Sequence, residues 1–254
     1  MILDTFHPLT SALASEFHGA RNVLPTQLDT AAMRGLDASV RRQSFWSAQT
    51  MLEDLLTRYK ESVGTLLAGK SNLATERLDI KNLLDALGLE RAGDNGDLSD
   101  ITSDSRINLV LKTNQQLAQG AGHVIQQNDP KVLDTFPALE LVRFEARKVP
   151  RDWEQRWREA ARDSGDLKAY AAQADGGRMV ALKDSPIWDS LGSSDLFPDG
   201  LDNPFPPFAF NSGMWTQDVS WDEAQELGLV DDETVVKPRL MNFADLFNTP
   251  ELSD

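Results

Sequence analysis

The chain has 254 residues, 41% of them hydrophobic and 26% charged, which is enough apolar surface for a packed core and argues against disorder as the default. It contains no cysteine, so a disulfide framework, a thiolate zinc site, an iron–sulfur cluster and a cysteine nucleophile are excluded together. The net charge of −15 is uneven: residues 184–254 hold 15 acidic side chains against Lys237 and Arg239, whereas residues 141–162 hold seven basic against four acidic.

The opening stretch MILDTFHPLTSALASEFHG has no basic region leading into an apolar run and does not read as a signal peptide. No stretch reaches the roughly 18 apolar residues of a membrane span. A soluble intracellular protein able to fold in a reducing cytoplasm is expected, with no membrane partner.

Residues 1–40, with prolines at 8 and 25, read as a loose N-terminal arm with short helical pieces. From Ser44, a natural N-cap, the residues Phe45, Ala48, Leu52, Leu55, Leu56, Tyr59, Val63 and Leu66 recur at three- and four-residue spacing and predict an amphipathic helix. A second helix is predicted from Leu73 to Leu87, with Gly88 as its left-handed end. Residues 91–100 form a polar loop. A third helix runs from Asp104 to Gln127, capped by Ser103, with Ile107, Val110, Leu111, Asn114, Leu117, Ala118, Ala121 and Ile125 on its inner stripe.

After Pro130 the character changes. Leu139 to Ala146 predicts a strand bounded by prolines 137 and 150, and Pro150 opens a short helix over Arg151–Arg162. Met179 to Leu182 is a second candidate strand. From Lys183 to Gln217 five prolines predict loop. Ser220 and Glu223 predict a capping box for a helix ending near Gly228. The expected fold class is therefore α+β: a helical N-terminal half with a small mixed α/β C-terminal part and long proline-rich loops. The division is an arm over 1–40, a helical region over 41–130, a small α+β region over 131–234 and an acidic tail over 235–254. The tail carries an apolar patch of Leu240, Phe243, Leu246 and Phe247.

Several motifs resemble chemistry. Gly64 to Ser71 (GTLLAGKS) matches the phosphate-loop pattern G-x-x-x-x-G-K-[ST], which works where it joins a buried strand to a helix. Here helical periodicity continues through Leu66 and Leu67, so the stretch reads as a helix end at Gly69 followed by a Ser71 cap; a nucleotide-binding protein is the rival reading. His7, His18 and His123 are too scattered to propose a metal site. Asp94, Asn95, Gly96, Asp97 and Asp100 lack the alternating ligand spacing of a calcium loop and read as a turn. With 40 acidic residues, no carboxylate pair is singled out as acid and base, and neither a catalytic residue nor a cofactor site is assigned. Trp153 and Trp157, beside Arg151, Arg156 and Arg158, fit either a core-facing stripe or an aromatic–basic surface touching DNA.

Three blocks in order resemble the phage Mu F-like head morphogenesis family. They are SDSRINLVLKTNQQLAQGAGH (103–123), with its Thr113–Asn114 pair; FPALELVRFEARKVPRDWEQRW (136–157); and ALKDSPIWDS with NPFPPFAFNSGM (181–190 and 203–214). The last pair is similar to the family's Asp-x-Pro-aromatic turn, onto which Asp184, Pro186 and Trp188 fall, and to its closing Pro-Pro-x-x-x-Asn segment, onto which Pro206, Pro207 and Asn211 fall. Where family members carry histidines after the central strand this chain has Trp153 and Trp157, and Ser212-Gly213-Met214 replaces a cysteine-containing end. Metal or redox chemistry is therefore not carried over. The resemblance implies a non-enzymatic minor head protein of a tailed phage. It would reside in the phage head, be assembled in the bacterial cytoplasm, and bind the portal or other head proteins. Asp184, Pro186, Trp188, Pro206, Pro207 and Asn211 are candidate docking or core-sealing residues, and a DNA-contacting internal virion protein is a further alternative.

Overall fold

The computed structural model describes residues 8–89, 97–147 and 149–239, with backbone alone at 8–10 and 38. It is an α+β fold with a helical N-terminal half, and it divides into two compact units, residues 8–122 and 123–239.

The first unit opens with α1 (Pro8–Ala20), β1 (Asn22–Val23), α2 (Thr30–Arg34), α3 (Ala38–Gln43) and β2 (Ser44–Phe45), the two strands pairing in parallel. Asp29 and Asp37 cap the two short helices by accepting the N–H groups of Ala32 and Ser39, as short side-chain carboxylates do at helix starts. The arm expected over 1–40 is thus, from residue 8, part of a packed body in which Phe17 and Met33 are fully buried. Helices of five and six residues are too short for a 3.6-residue period to show in sequence.

Three longer helices follow: α4 (Glu53–Leu67), α5 (Leu73–Ala86) and α6 (Asp104–Gln127). The helix predicted from Ser44 starts only at Glu53. Ser44 ends α3 and enters β2, and Gln49 adopts a positive φ of 55° that a right-handed helix cannot contain. Glu53 and Asp54 then place negative charge on the exposed amides of the first turn. Leu55, Tyr59, Val63, Ile80, Leu84, Ile107, Val110 and Leu111 close around Phe45; burying each such side chain stabilises by roughly 1.5–3 kcal/mol. As expected, Ser103 Oγ caps α6 by accepting the Arg106 N–H at 3.1 Å.

One polar tie crosses this apolar centre. Arg21 is 2% exposed. It donates to the Ser44 carbonyl through Nε (3.1 Å) and one terminal nitrogen (2.6 Å), and to Asn114 Oδ1 at 2.7 Å. Its guanidinium also lies 5.3 Å from the Phe45 ring centre, so the charge is met by carbonyl dipoles and a ring face. Asn114, the polar position on the inner stripe of α6, is there to receive it.

The second unit takes the last turn of α6 from His123. It continues through α7 (Pro130–Thr135), β3 (Ala138–Arg143), α8 (Trp153–Ser164), α9 (Leu167–Gly176), β4 (Val180–Leu182), α10 (Ile187–Gly192), β5 (Met214–Val219) and α11 (Trp221–Glu226). The strands form one antiparallel sheet in the order β4-β3-β5, with Ala138 opposite both Leu182 and Val219. The expected strand and helix of residues 139–162 are present as β3 and α8, and Ser220 caps α11 as expected. The partner half of that capping box is absent in its predicted form, because the Glu223 carboxylate pairs with Arg178 at 2.6 Å.

The region 183–217, expected as loop, instead contains α10 and most of β5. β5 pairs along its whole length with β3, an assignment its own sequence, MWTQDV, barely signals because polar residues interrupt the alternation. The helix α9 also had no clear signal; Asp166 caps it, and Gly165 and Gly177, at φ 72° and 69°, end the helices before and at it.

Candidate functional site

The second and third sequence blocks converge in one core. Leu139 and Leu141 of β3, Trp153 and Trp157 of α8, Ile187, Trp188 and Leu191 of α10, and Phe208 and Met214 pack together. Trp188 is 1% exposed. Its ring meets Trp157 edge-on at 5.6 Å and stacks on Phe208 at 6.1 Å, while its Nε1–H donates to the Leu182 carbonyl at 2.8 Å. This satisfies the one polar group the indole takes inside. Truncating such a side chain costs about 3–5 kcal/mol.

The chain enters this core through the Asp184–Trp188 turn. Pro186 is exposed and stands at the N-cap of α10. Ser185 Oγ accepts the Ile187 N–H at 3.1 Å and donates to the Asp166 carboxylate. Asp184 Oδ2 accepts the backbone N–H of Lys237, far along the chain, at 3.0 Å.

The closing segment is sealed rather than displayed. Residues 203–209, including Pro206 and Pro207 with the cis peptide between them, are buried. Of the two readings open for this segment, core-sealing is the one its burial matches: Phe205 and Phe208 fill the core, and their rings are not available outside it. Two glycines permit this closure. A Cβ on Gly192 would stand 2.0 Å from the Asn203 carbonyl oxygen, and one on Gly200 would stand 2.5 Å from the Gly192 and Ser193 carbonyls. Asn211 is exposed at φ 52°, and its carbonyl accepts from Arg147 Nε at 3.0 Å and from Arg151 at 3.3 Å.

Those contacts also decide the arginines proposed to touch DNA. Arg156 is 6% exposed. It donates twice to the Leu191 carbonyl (3.1 and 2.8 Å), pairs with Asp199 at 2.6 Å, and lies 3.9 Å from the Phe197 ring centre. Burial pushes the Asp199 carboxyl up, but the hydrogen bond and charges of Arg156 and Arg151 outweigh this and hold it below its usual range. Arg151 pairs with the same carboxylate at 2.5 Å, and Arg158 reaches Glu154 at 3.9 Å and Gln173 at 3.3 Å. A phosphate backbone needs cations that are exposed and not already neutralised. Arg156 is neither, and Trp153 and Trp157 are core.

The phosphate-loop match fares likewise. Gly64 lies inside α4, where an added Cβ would stand 3.8 Å from the His18 ring. Gly69 is left-handed at φ 65°, and the N–H groups of Ala68, Gly69 and Lys70 return to the carbonyls of Gly64, Leu66 and Thr65. Amides engaged in a helix end cannot cradle a phosphate. The next helix is capped by Asn72, which accepts from Ala74 and Thr75, not by Ser71. Of the calcium-like loop, Asp94, Asn95 and Gly96 lie outside the described residues, while Asp97 and Asp100 accept the N–H groups of Ser99 and Thr102, both at 2.8 Å. The tail patch at Leu240, Phe243, Leu246 and Phe247 also lies outside the described residues.

A buried polar cluster unmarked in the sequence sits within the second unit. Lys183 is 3% exposed; its ammonium pairs with Asp218 at 2.7 Å and with Gln127 Oε1, and Gln127 donates to the other Asp218 oxygen at 3.2 Å. Burial lowers the Lys183 pKa, and the carboxylate of Asp218 opposes that. His123 stands beside them with its ring 5.7 Å from Trp215. Part of the residue remains at the surface, but Nε2 is sealed. Its pKa is lowered to about 4, chiefly by burial and further by Lys183, against the opposing charge of Asp218. Arg239 closes the rim. Its backbone N–H donates to Asn128 Oδ1 at 2.6 Å, and its guanidinium reaches the Pro204 carbonyl at 3.0 Å and Asp189 at 3.3 Å. His123 and Gln127 lie four residues apart on α6, but Lys183 and Asp218 are far from them in sequence, and only the tertiary fold brings the four together.

Comparison with protein-family models, with characterised proteins and with solved structures yields no match. Functional assignment therefore rests on the residues. Among those described, no three histidine, aspartate or glutamate side chains converge as metal ligands, and no helix is long and apolar enough to cross a membrane.

Proposed function

We propose that this chain is a minor head protein of a tailed phage that works by recognition rather than catalysis. It would bind the portal or other head proteins during head assembly or genome delivery, within the phage head. The observation that carries this reading is that blocks distant in sequence, 136–157, 181–190 and 203–214, form a single core around Trp157, Trp188 and Phe208. The order of blocks behind the family resemblance is thus also a physical unit. The nucleotide reading has no loop to hold phosphate, and the DNA reading loses its central cation.

Recognition must use what lies outside that core. On α11 and the segment after it, Asp222, Glu226, Asp231, Asp232 and Glu233 are exposed. Such a face repels phosphate and favours a basic protein surface. Co-expression with the portal of the same phage and affinity capture tests the reading, with Asp222, Glu226, Asp231 and Asp232 changed together to lysine as the control. Capture by the parent and loss in the variant, with unfolding midpoints equal, supports it. Failure to retain the portal or any other head protein rejects it.

A further inference from the structure

The last described residues of the chain are seated as a bound peptide would be. Residues 234–239 form neither helix nor turn, and Pro238 biases Lys237 before it towards an extended backbone. Lys237 donates its N–H to Asp184 Oδ2 at 3.0 Å, and Arg239 donates its own to Asn128 Oδ1 at 2.6 Å. Between them Pro238 has no N–H to satisfy. The Arg239 guanidinium reaches the Pro204 carbonyl at 3.0 Å and Asp189 at 3.3 Å, with 9% of the side chain exposed. Three of these four acceptors are side chains, brought by α10, by the turn before it and by the junction of α6 and α7. Val235, Lys237 and Pro238 remain exposed, so the segment is held through the amides of 237 and 239 and one guanidinium.

The seat continues past the segment that fills it. Asp189 and Pro204 also line an open cleft of about 310 Å³ with Asp163, Ser190, Ser193 and Asp202. One water takes roughly 10–15 Å³ of such space, so a whole side chain fits. The lining carries three carboxylates and, among the described residues, no cationic side chain. Leu240, Met241 and Asn242, which follow Arg239, supply no positive charge either. The chain's own segment thus fills one end of an acidic track and brings no cation to the other.

We propose that this track is a binding site for an extended basic peptide of a partner protein, with residues 235–239 occupying it in cis as a competitor. The ligand seats a Pro-Arg pair as Pro238 and Arg239 are seated and places a further arginine in the cleft. Charge complementarity selects this class, and the fork of a guanidinium matches a carbonyl beside a carboxylate better than an ammonium does. Nucleic acid is excluded, because the carboxylates repel phosphate. A tethered segment competes at an effective concentration on the order of millimolar. It therefore keeps weak ligands out and yields to one that brings the additional cation. The inference stands on these contacts alone and does not rest on the phage-head reading.

Fluorescence anisotropy on the full chain, with a dye-labelled peptide of residues 234–239 followed by two further arginines, tests the site. Arg239→Ala removes the tethered competitor and should tighten binding about ten-fold or more, because apparent affinity falls with the fraction of open sites. Asp184→Ala together with Asp189→Ala in that background should abolish it. Binding no tighter than that of the parent, binding that survives the double substitution, or equal binding of a scrambled peptide of the same composition overturns the proposal. Hydrogen exchange on the unaltered chain gives a second reading should a variant fail to fold. Saturating peptide should speed exchange at the amides of Lys237 and Arg239; unchanged exchange there would show that the peptide sits elsewhere and that the cis segment is no competitor.

Discussion

The sharpest consequence of the sealed closing segment concerns a single methyl group. Changing Gly192 to Ala would set a Cβ 2.0 Å from the Asn203 carbonyl oxygen and 3.1 Å from its backbone nitrogen. Carbon and oxygen normally approach to about 3.3 Å, so the backbone would have to yield by about 1.3 Å. No flexible side chain is there to move instead. The shift would also stretch the 2.8 Å hydrogen bond from the Asp202 N–H to the Gly192 carbonyl. Overpacking of this kind costs about 1–3 kcal/mol and a weakened hydrogen bond about 1 kcal/mol more, giving a loss of about 2–4 kcal/mol. The matched control is Gly176→Ala at the last position of α9, where an added Cβ meets nothing within 4 Å. There the same chemical change should be neutral or stabilising by up to about 1 kcal/mol. Urea unfolding followed by tryptophan fluorescence reads the second unit selectively, since Trp153, Trp157, Trp188, Trp215 and Trp221 belong to it and only Trp46 to the first. A Gly192→Ala midpoint equal to that of the parent would mean that residues 203–209 are held loosely, and the core assignment would fail.

Acid should weaken the first unit through His18. Its Nε2 contacts the Lys60 carbonyl at 2.8 Å, and its pKa is lowered from 6.5 to about 4, chiefly by burial. As pH falls below 6.5 the unfolded chain takes up the proton first. The stability contributed by neutral His18 is whole above 6.5 and drains away down to about 4, by about 3 kcal/mol in all. Midpoints measured across that window should slope for the parent and flatten for His18→Gln; equal slopes would discount the histidine. In the buried cluster, Asp218→Ala leaves the Lys183 ammonium uncompensated and should cost more than Lys183→Met, which removes the charge along with its need. After allowance for the one-third exposure of Asp218, the first should cost about 1–3 kcal/mol, and the reverse order in chemical denaturation would show the pair to be idle. Calorimetry with ATP and GTP should show no uptake. Lys70→Ala, at an exposed position, should leave the unfolding midpoint unchanged to within about 0.5 kcal/mol; micromolar binding lost on that substitution would overturn the helix-end assignment of residues 64–71.

The sequence by itself determined the elements whose information is local. The helices α5 and α6 carry a sustained apolar period with Gly88 and Ser103 at their ends, β3 follows Pro137, and α8 follows Pro150 and stops at Gly165. The phosphate-loop letters could be discounted because periodicity ran through them. Tertiary structure decided the rest. Gln49 in a left-handed turn cut a nine-residue run from the front of α4, although Phe45, Ala48 and Leu52 keep helical spacing. β5 exists because β3 offers it six residues of register, not because MWTQDV demands a strand. Arg156 looks like a surface cation in sequence, and becomes a core residue because the Leu191 carbonyl and Asp199 meet it inside. The same holds for the Lys183, Asp218, Gln127 and His123 cluster. Periodicity records which face of an element is apolar, but not which distant element will supply the partner that makes a buried charge tolerable.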